Sequence, residues 1–337
     1  MNNCLSLLSK HRSALMGFAI LWIVLYHLPM GFRNFIVNVG YGGVDIFLFL
    51  SGFGLFYSMS LNNYSTGQFY KKRLKRILPE FWLFLLVEFI IAQDFTLKSF
   101  CDLLCCATTL GYWIKIIPYE FWYISCILLF YLIFPLFYEK FQKYGVKAIL
   151  AAICIGLLLT AVYSLVMVFG FDNRNTGGLL ILSISRIPIF FIGTLFGHLT
   201  KNGYGLKLNV KTVALSLFVL VTAFLTLFYF RARLYDYEWT CSLFALPFIA
   251  ITPVMCVMLA VVFEYLPRLI TQSFAGLGFI SLELYMTHAY LIELFYPTAE
   301  SPRDGSTAIL VFSLSLISAV ALYYINKYLM QRAISKV

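Results

Sequence analysis

Apolar runs of about eighteen or more residues recur from one end of this 337-residue chain to the other. Each is long enough, as an α-helix, to cross about 30 Å of hydrocarbon. Inside a bilayer every backbone N–H and C=O must be paired within the chain, so such runs are expected to fold as helices. Composition points the same way: 61% of residues are hydrophobic and 12% charged, which excludes an ordinary soluble domain. The expected fold class is all-α, a polytopic transmembrane helical bundle forming a single integral-membrane domain over residues 1–337. No small-residue cleavage site follows the first run, which is therefore read as a retained span and not a signal peptide.

Hydropathy outlines about ten spans, near 13–30, 42–59, 77–93, 119–138, 147–170, 179–199, 209–230, 240–263, 272–296 and 306–329. An even number returns both termini to one side. With that side cytoplasmic, seventeen of the 25 Lys and Arg fall inside. Seven fall outside, at Arg33, Lys98, Lys115, Arg174, Arg231, Arg233 and Arg303, while Arg186 lies within a span. The outside loops also hold most loop carboxylates, among them Asp94, Asp102, Asp236, Glu238, Glu300 and Asp304. Basic loops face the cytoplasm, so both termini are expected there. The same sidedness accounts for the net charge of +10 without nucleic acid as a partner.

Two of the first spans carry groups that hydrocarbon rejects. His27 lies near the outer end of the first and Asp45 near the outer start of the second. An antiparallel pair sets them at similar depth. An ionisable side chain at such a depth costs roughly 2.5–3.5 kcal/mol on insertion scales, which makes it a functional candidate with a partner to be named. A neutral imidazole whose second nitrogen is held by Asp45 is suited to take a proton from a hydroxyl. The bland alternative is a histidine that hydrogen-bonds to a neighbouring helix.

Between the second and third spans, KKRLKR is the densest basic segment. A lipid-facing anchor accounts for Lys71 and Lys72. Arg73 and Arg76 stand three apart on one helical face, where two guanidiniums grip phosphate oxygens through paired hydrogen bonds. That geometry suits a phosphorylated cytoplasmic ligand, helped by Lys72 or Lys75, and equally a phospholipid headgroup.

The fourth span opens with Glu120, Phe121, Trp122 and Tyr123. Trp and Tyr at a span end are ordinary interfacial anchors, while a carboxylate beside stacking rings also suits a sugar site. Arg186, about 10 Å below the outer surface, either neutralises Asp45 or another carboxylate, or meets an oxyanion or anionic substrate. Gly193, Thr194 and Gly197 in the same span allow close helix packing. In the ninth span Glu283 and His288 are five apart, so each is expected to contact another span. The cysteines Cys126, Cys154, Cys241 and Cys256 act as small apolar residues, and Cys101, Cys105 and Cys106 form no recognisable metal pattern. No metal is expected.

Six of these stretches together resemble the acyltransferase 3 family of bacterial integral-membrane O-acyltransferases of surface glycans. They are the basic residue and helix from Arg12 to His27, GGVDIFLFLSGF (42–53), KRLKRILPEFW with Arg73 and Arg76, EFWYIS (120–125), SRIPIFFIGTLFG (185–197) and ISLELYMTH (280–288). The resemblance implies that His27 is the essential membrane histidine, that Arg73 and Arg76 serve the acyl donor, and that Arg12 is the basic residue of the first span. It implies cytoplasmic acyl-CoA, acetyl-CoA by family frequency, as donor, and a hydroxyl of a cell-surface or lipid-linked carbohydrate as acceptor. The setting it implies is the bacterial inner membrane, crossed many times. Some members carry an added periplasmic esterase-like domain, for which this chain is expected to have no residues. Arg12, Glu120, Trp122, Tyr123, Arg186, Glu283 and His288 are the substrate-binding candidates, and His27 with Asp45 the catalytic ones. The alternative function is export or flipping of a polysaccharide or lipid-linked sugar along the same midplane charges, without acyl transfer.

Overall fold

The computed structural model describes residues 4–28, 35–62, 64–113, 121–169, 180–234, 241–297 and 304–334. Its longer helices are, in chain order, α1 (Cys4–Lys10), α2 (Arg12–His27), α3 (Gly43–Asn62), α4 (Thr66–Ala92), α5 (Leu97–Ala107), α6 (Trp122–Tyr144), α7 (Val146–Phe169), α8 (Ile187–Lys201), α9 (Val210–Leu234), α10 (Cys241–Tyr265), α11 (Arg268–Phe279), α12 (Ser281–Phe295) and α13 (Gly305–Ile334). No strand occurs among the described residues, and the all-helical class stands.

Among the described residues, seven helical stretches are long and apolar enough to cross a membrane. Two pairs, α1 with α2 and α11 with α12, pass only when joined across a break, which brings the number up to nine. The expected third span is the one that does not pass. Every eighteen-residue window within α4 takes in Lys75, Arg76 and Glu80, too much charge for a simple crossing. The expected ninth span is not one rod either. It breaks at Ile280, which leaves helical geometry with φ −100° and ψ 19°, so Glu283 stands in the first turn of α12. Of the residues used to assign sidedness, Arg33, Lys115, Arg174, Asp236, Glu238, Glu300, Arg303 and Lys336 lie outside the described residues.

The chain folds into two compact units. The first comprises residues 1–19, 41–65 and 133–278. Its tightest packing joins α3 to α8, where backbone meets backbone. A Cβ on Gly52 would overlap the carbonyl oxygen of Phe190, and one on Gly193 the carbonyl oxygen of Phe49. One on Gly197 would stand 2.7 Å from the carbonyl oxygen of Phe53. Small residues bring helices to this distance, and close van der Waals contact then replaces the hydrophobic drive that lipid does not supply. Phe49, Phe53 and Phe190 are buried around that seam. At the other end of this unit, Glu264 at the end of α10 accepts from Lys10 Nζ and lies 2.6 Å from Nε2 of His11, which is buried.

The second unit comprises residues 20–40, 66–132 and 279–337. Here α4 and α13 both pack against α12. Thr287 Oγ1 lies 3.0 Å from two carbonyl oxygens, that of Glu283 in its own helix and that of Ser315 in α13. Tyr70 donates to the Leu132 carbonyl at 2.8 Å and ties α4 to the first part of α6. Trp82 donates to the Ala107 carbonyl at 2.8 Å and holds the amphipathic α5 beside α4. Asp304 caps α13, accepting from the Thr307 amide at 2.9 Å; its hydrogen bonds with Ser306 and Thr307 hold the carboxyl below the usual carboxylate range.

The α3–α8 seam gives a direct expectation. Gly193→Val must displace the Phe49 carbonyl and should cost about 1–3 kcal/mol, lowering the thermal midpoint of the purified protein. Gly276→Ala, on an exposed α11 position with nothing nearby, should leave that midpoint unchanged or slightly raised. Equal midpoints for the two variants would show that the seam tolerates the branch.

Candidate active site

The second unit brings together most of the residues singled out by the sequence. His27 is the last residue of α2, and its Nδ1 lies 3.0 Å from the carbonyl oxygen of Ile23, one turn back. A carbonyl only accepts, so Nδ1 carries the proton. His288, in α12, repeats the arrangement, with Nδ1 2.8 Å from the carbonyl oxygen of Leu284. Its Nε2 is therefore an acceptor, and it stands 3.3 Å from His27 Nδ1. One N–H of His27 is thus shared between a backbone oxygen and a second imidazole. The basic lone pair of His27 is left on Nε2.

Burial divides the work between the rings. His288 is 1% exposed, locked at both nitrogens, whereas His27 is exposed. Aromatic rings surround the pair: Tyr26 lies 4.8 Å from His27 between centroids, and Tyr285 5.9 Å from His288. Tyr123 stands edge-on to Tyr285 at 5.5 Å, and Trp122 neighbours Tyr123. The stacking candidates at the start of α6 therefore continue the wall of rings that leads to the histidines. Glu120 lies outside the described residues.

The same unit holds the arginine pair on α4. Arg73 is buried, its guanidinium carbon 5.8 Å from the Phe69 ring and 6.0 Å from the Tyr131 ring. Arg76 is exposed, as are Lys72 and Lys75. The two arginines share a helix but not an environment. Aromatic faces hold Arg73 in place, while Arg76 lies within electrostatic reach of Glu80 and Glu283. Glu80, one turn beyond Arg76, accepts from Asn326 Nδ2 of α13 at 3.2 Å. Glu283 is 1% exposed, and among the described residues its Oε1 has no hydrogen-bond partner.

Glu80, Asn326 and Tyr285 are the residues that sequence reasoning missed. Two of them left a trace. Glu80 stands four residues after Arg76, a spacing at which helical side chains meet, and Asn326, next to Lys327, ends a long apolar run. Nothing in the sequence distinguished Tyr285 from its aromatic neighbours.

Asp45 and Arg186 belong to the first unit and meet there. Arg186 Nε lies 3.6 Å from Asp45 Oδ1, with both side chains buried, and its Nη1 donates to Ser185 Oγ at 3.0 Å and to the Leu182 carbonyl at 3.3 Å. Of the partners weighed for Asp45, this unit supplies Arg186; the partner that the second unit supplies to His27 is His288. Arg12 also belongs to the first unit, where its guanidinium packs over Gly54 of α3. Arg231, placed by hydropathy just past a span, lies in the last turn of α9 with its guanidinium 5.8 Å from the Tyr41 ring.

No curated protein and no solved structure matches the chain. A family model does: an acyltransferase domain covers residues 14–325, from the first turn of α2 into α13. With nearly the whole chain matched, this multi-helix membrane protein belongs to the acyltransferase 3 family.

Proposed function

We propose that this protein transfers an acyl group, acetyl in the simplest case, from cytoplasmic acyl-CoA to a hydroxyl of a cell-surface or lipid-linked carbohydrate in the bacterial inner membrane. The observation that carries the proposal is the hydrogen bond between His288 Nε2 and His27 Nδ1, which sets the basic nitrogen of an exposed imidazole at Nε2. That is what a general base for an alcohol requires. The acceptor hydroxyl attacks the thioester carbonyl while Nε2 of His27 takes its proton. The tetrahedral intermediate then collapses by breaking the C–S bond, and the same Nε2 returns the proton to the departing thiolate. An ester and a free thiol result, with no net proton gained or lost by the protein.

His288 acts through His27 as a positioning residue, fixing its tautomer and ring direction. On the donor side, Arg73 and Arg76 hold the phosphates of acyl-CoA, with Lys72 and Lys75 adding local positive charge where the segment leaves the membrane. Both termini are taken as cytoplasmic, following the basic residues of the connecting segments. Trp122, Tyr123 and Tyr285 offer aromatic faces of the kind on which a sugar ring stacks.

Two sets of variants test this reading. In purified protein, His27→Ala should lower acyl transfer by roughly a hundred- to ten-thousandfold, the usual worth of a general base. His288→Ala should lower kcat with KM little changed, and His288→Gln, whose side-chain oxygen can take the place of Nε2 as acceptor, should restore part of the loss. Wild-type turnover in His27→Ala excludes the base role. For the donor, Arg73→Ala combined with Arg76→Ala should weaken acetyl-CoA binding at least tenfold, measured by calorimetry, because charge-assisted hydrogen bonds are lost. Unchanged affinity would reassign both arginines to lipid. Release of free CoA that depends on an added glycan acceptor separates transfer from simple export.

A further inference from the structure

The reaction just described leaves Glu283 without a task, yet few side chains in the protein are placed at greater cost. It is 1% exposed, and its Oε1 has no hydrogen-bond partner among the described residues. An unprotonated carboxyl oxygen is only an acceptor, so what that atom lacks is a donor. The neighbouring groups do not supply one. Glu80 is a second acceptor, already receiving Asn326 Nδ2. Thr287, one turn on, directs its hydroxyl to the carbonyls of Glu283 and Ser315. Arg76 acts on both carboxylates through space from an exposed position.

A proton relay does not explain the residue. The proton taken from the alcohol leaves on the thiolate, so His27 needs no path to bulk water. A cationic ligand fits poorly as well, because Arg76 already brings positive charge to the same two carboxylates. What remains is a neutral ligand with an N–H or O–H to give.

The order of residues along two helices of one unit says which neutral ligand. On α4, Arg73 and Arg76 precede Glu80, with Glu80 one turn beyond Arg76. On α12, Glu283 precedes His288 by five residues, about 7.5 Å at 1.5 Å per residue. The two helices pack together with Phe84 of α4 edge-on to Tyr290 of α12 at 6.2 Å between ring centroids, and Glu80 lies within electrostatic reach of Glu283, so both helices run the same way and the carboxylates fall between the levels of the arginines and the histidine pair. In the proposed reaction the arginines hold phosphates and the histidines face the thioester. The segment of acyl-CoA that joins the two is the pantetheine arm, an uncharged extended chain whose secondary amides each offer one N–H.

We propose that Glu283 is a donor-binding residue whose Oε1 accepts a hydrogen bond from a pantetheine amide N–H of acyl-CoA. The assignment rests on acyl-CoA being the donor. It gives the site a means of telling a pantetheine thioester from a bare nucleotide or a simple thioester. It also explains why an acidic residue is kept in an otherwise unfavourable place: the unmet acceptor is met when the arm is bound.

The experiment compares two probes on the full-length protein in lipid nanodiscs, acetyl-CoA and adenosine 3′,5′-bisphosphate, which carries phosphates but no arm. Glu283→Leu should weaken acetyl-CoA binding roughly tenfold, because the amide N–H is then buried without its acceptor. It should leave the bisphosphate affinity at the wild-type value, which also reports that the variant is folded. Glu283→Gln keeps an acceptor oxygen and should retain most of the acetyl-CoA affinity. The proposal is overturned if Glu283→Leu binds acetyl-CoA as wild type does, or if it loses both probes alike, which would mark a structural role. Wild-type protein that binds neither probe would instead remove the acyl-CoA reading itself, and this assignment with it.

Discussion

In hydrocarbon a polar atom has no water to fall back on, and that constraint sorts the polar side chains of this protein. Most are answered locally. Thr160, Thr194 and Ser315 return their hydroxyls to the carbonyl four residues back in their own helices. His27 and His288 do the same with Nδ1. Arg186 donates from Nη1 to Ser185 and a backbone carbonyl and forms an ion pair with Asp45. A bare acceptor stands out against this background, and Oε1 of Glu283 is one. Local satisfaction has a further effect on the two histidines: because each ring spends Nδ1 on its own backbone, the remaining nitrogens have defined roles, one accepting and one basic.

The helical, membrane-crossing character was legible because it depends on run length and charge alone. Close packing at Gly193 and Gly197 was legible too, since small residues at helical spacing have few other uses in a span. What hydropathy does not resolve is a break inside an apolar run. A window over 272–296 averages across Ile280 and reads one continuous span, although α11 and α12 are separate helices. No proline marks the place. The third span is obscured for the opposite reason: Lys75, Arg76 and Glu80 share one helix with the apolar residues that follow, so α4 is strongly charged in its first half and more apolar in its second.

The site was legible by residue type and less so by partner. His27, Arg73, Arg76, Glu283 and His288 were singled out as costly or purposeful in a membrane, and all five lie in one compact unit. Their pairings were beyond reach of the sequence. His27 and His288 stand 261 positions apart, and no spacing rule spans such a separation. Depth matching offered Asp45 both an imidazole and a guanidinium, and only coordinates place Arg186 at 3.6 Å. The different surroundings of Arg73 and Arg76 were likewise hidden, because the rings that hold Arg73 include Tyr131, from a distant helix.

A neutral imidazole behind His27, where a carboxylate is the more familiar orienting group, has a chemical consequence for the proposed reaction. An anion at Nδ1 stabilises the imidazolium strongly, which favours taking the alcohol proton but opposes giving it back. The leaving group here is a thiolate, a much weaker base than an alkoxide, so it accepts a proton only from an acid willing to part with it. With His288 Nε2 as acceptor, the positive charge that arrives on His27 is shared with a second ring and with the carbonyls of Ile23 and Leu284. The pair is therefore suited to both halves of the transfer: it removes a proton as the C–O bond forms and releases it as the C–S bond breaks.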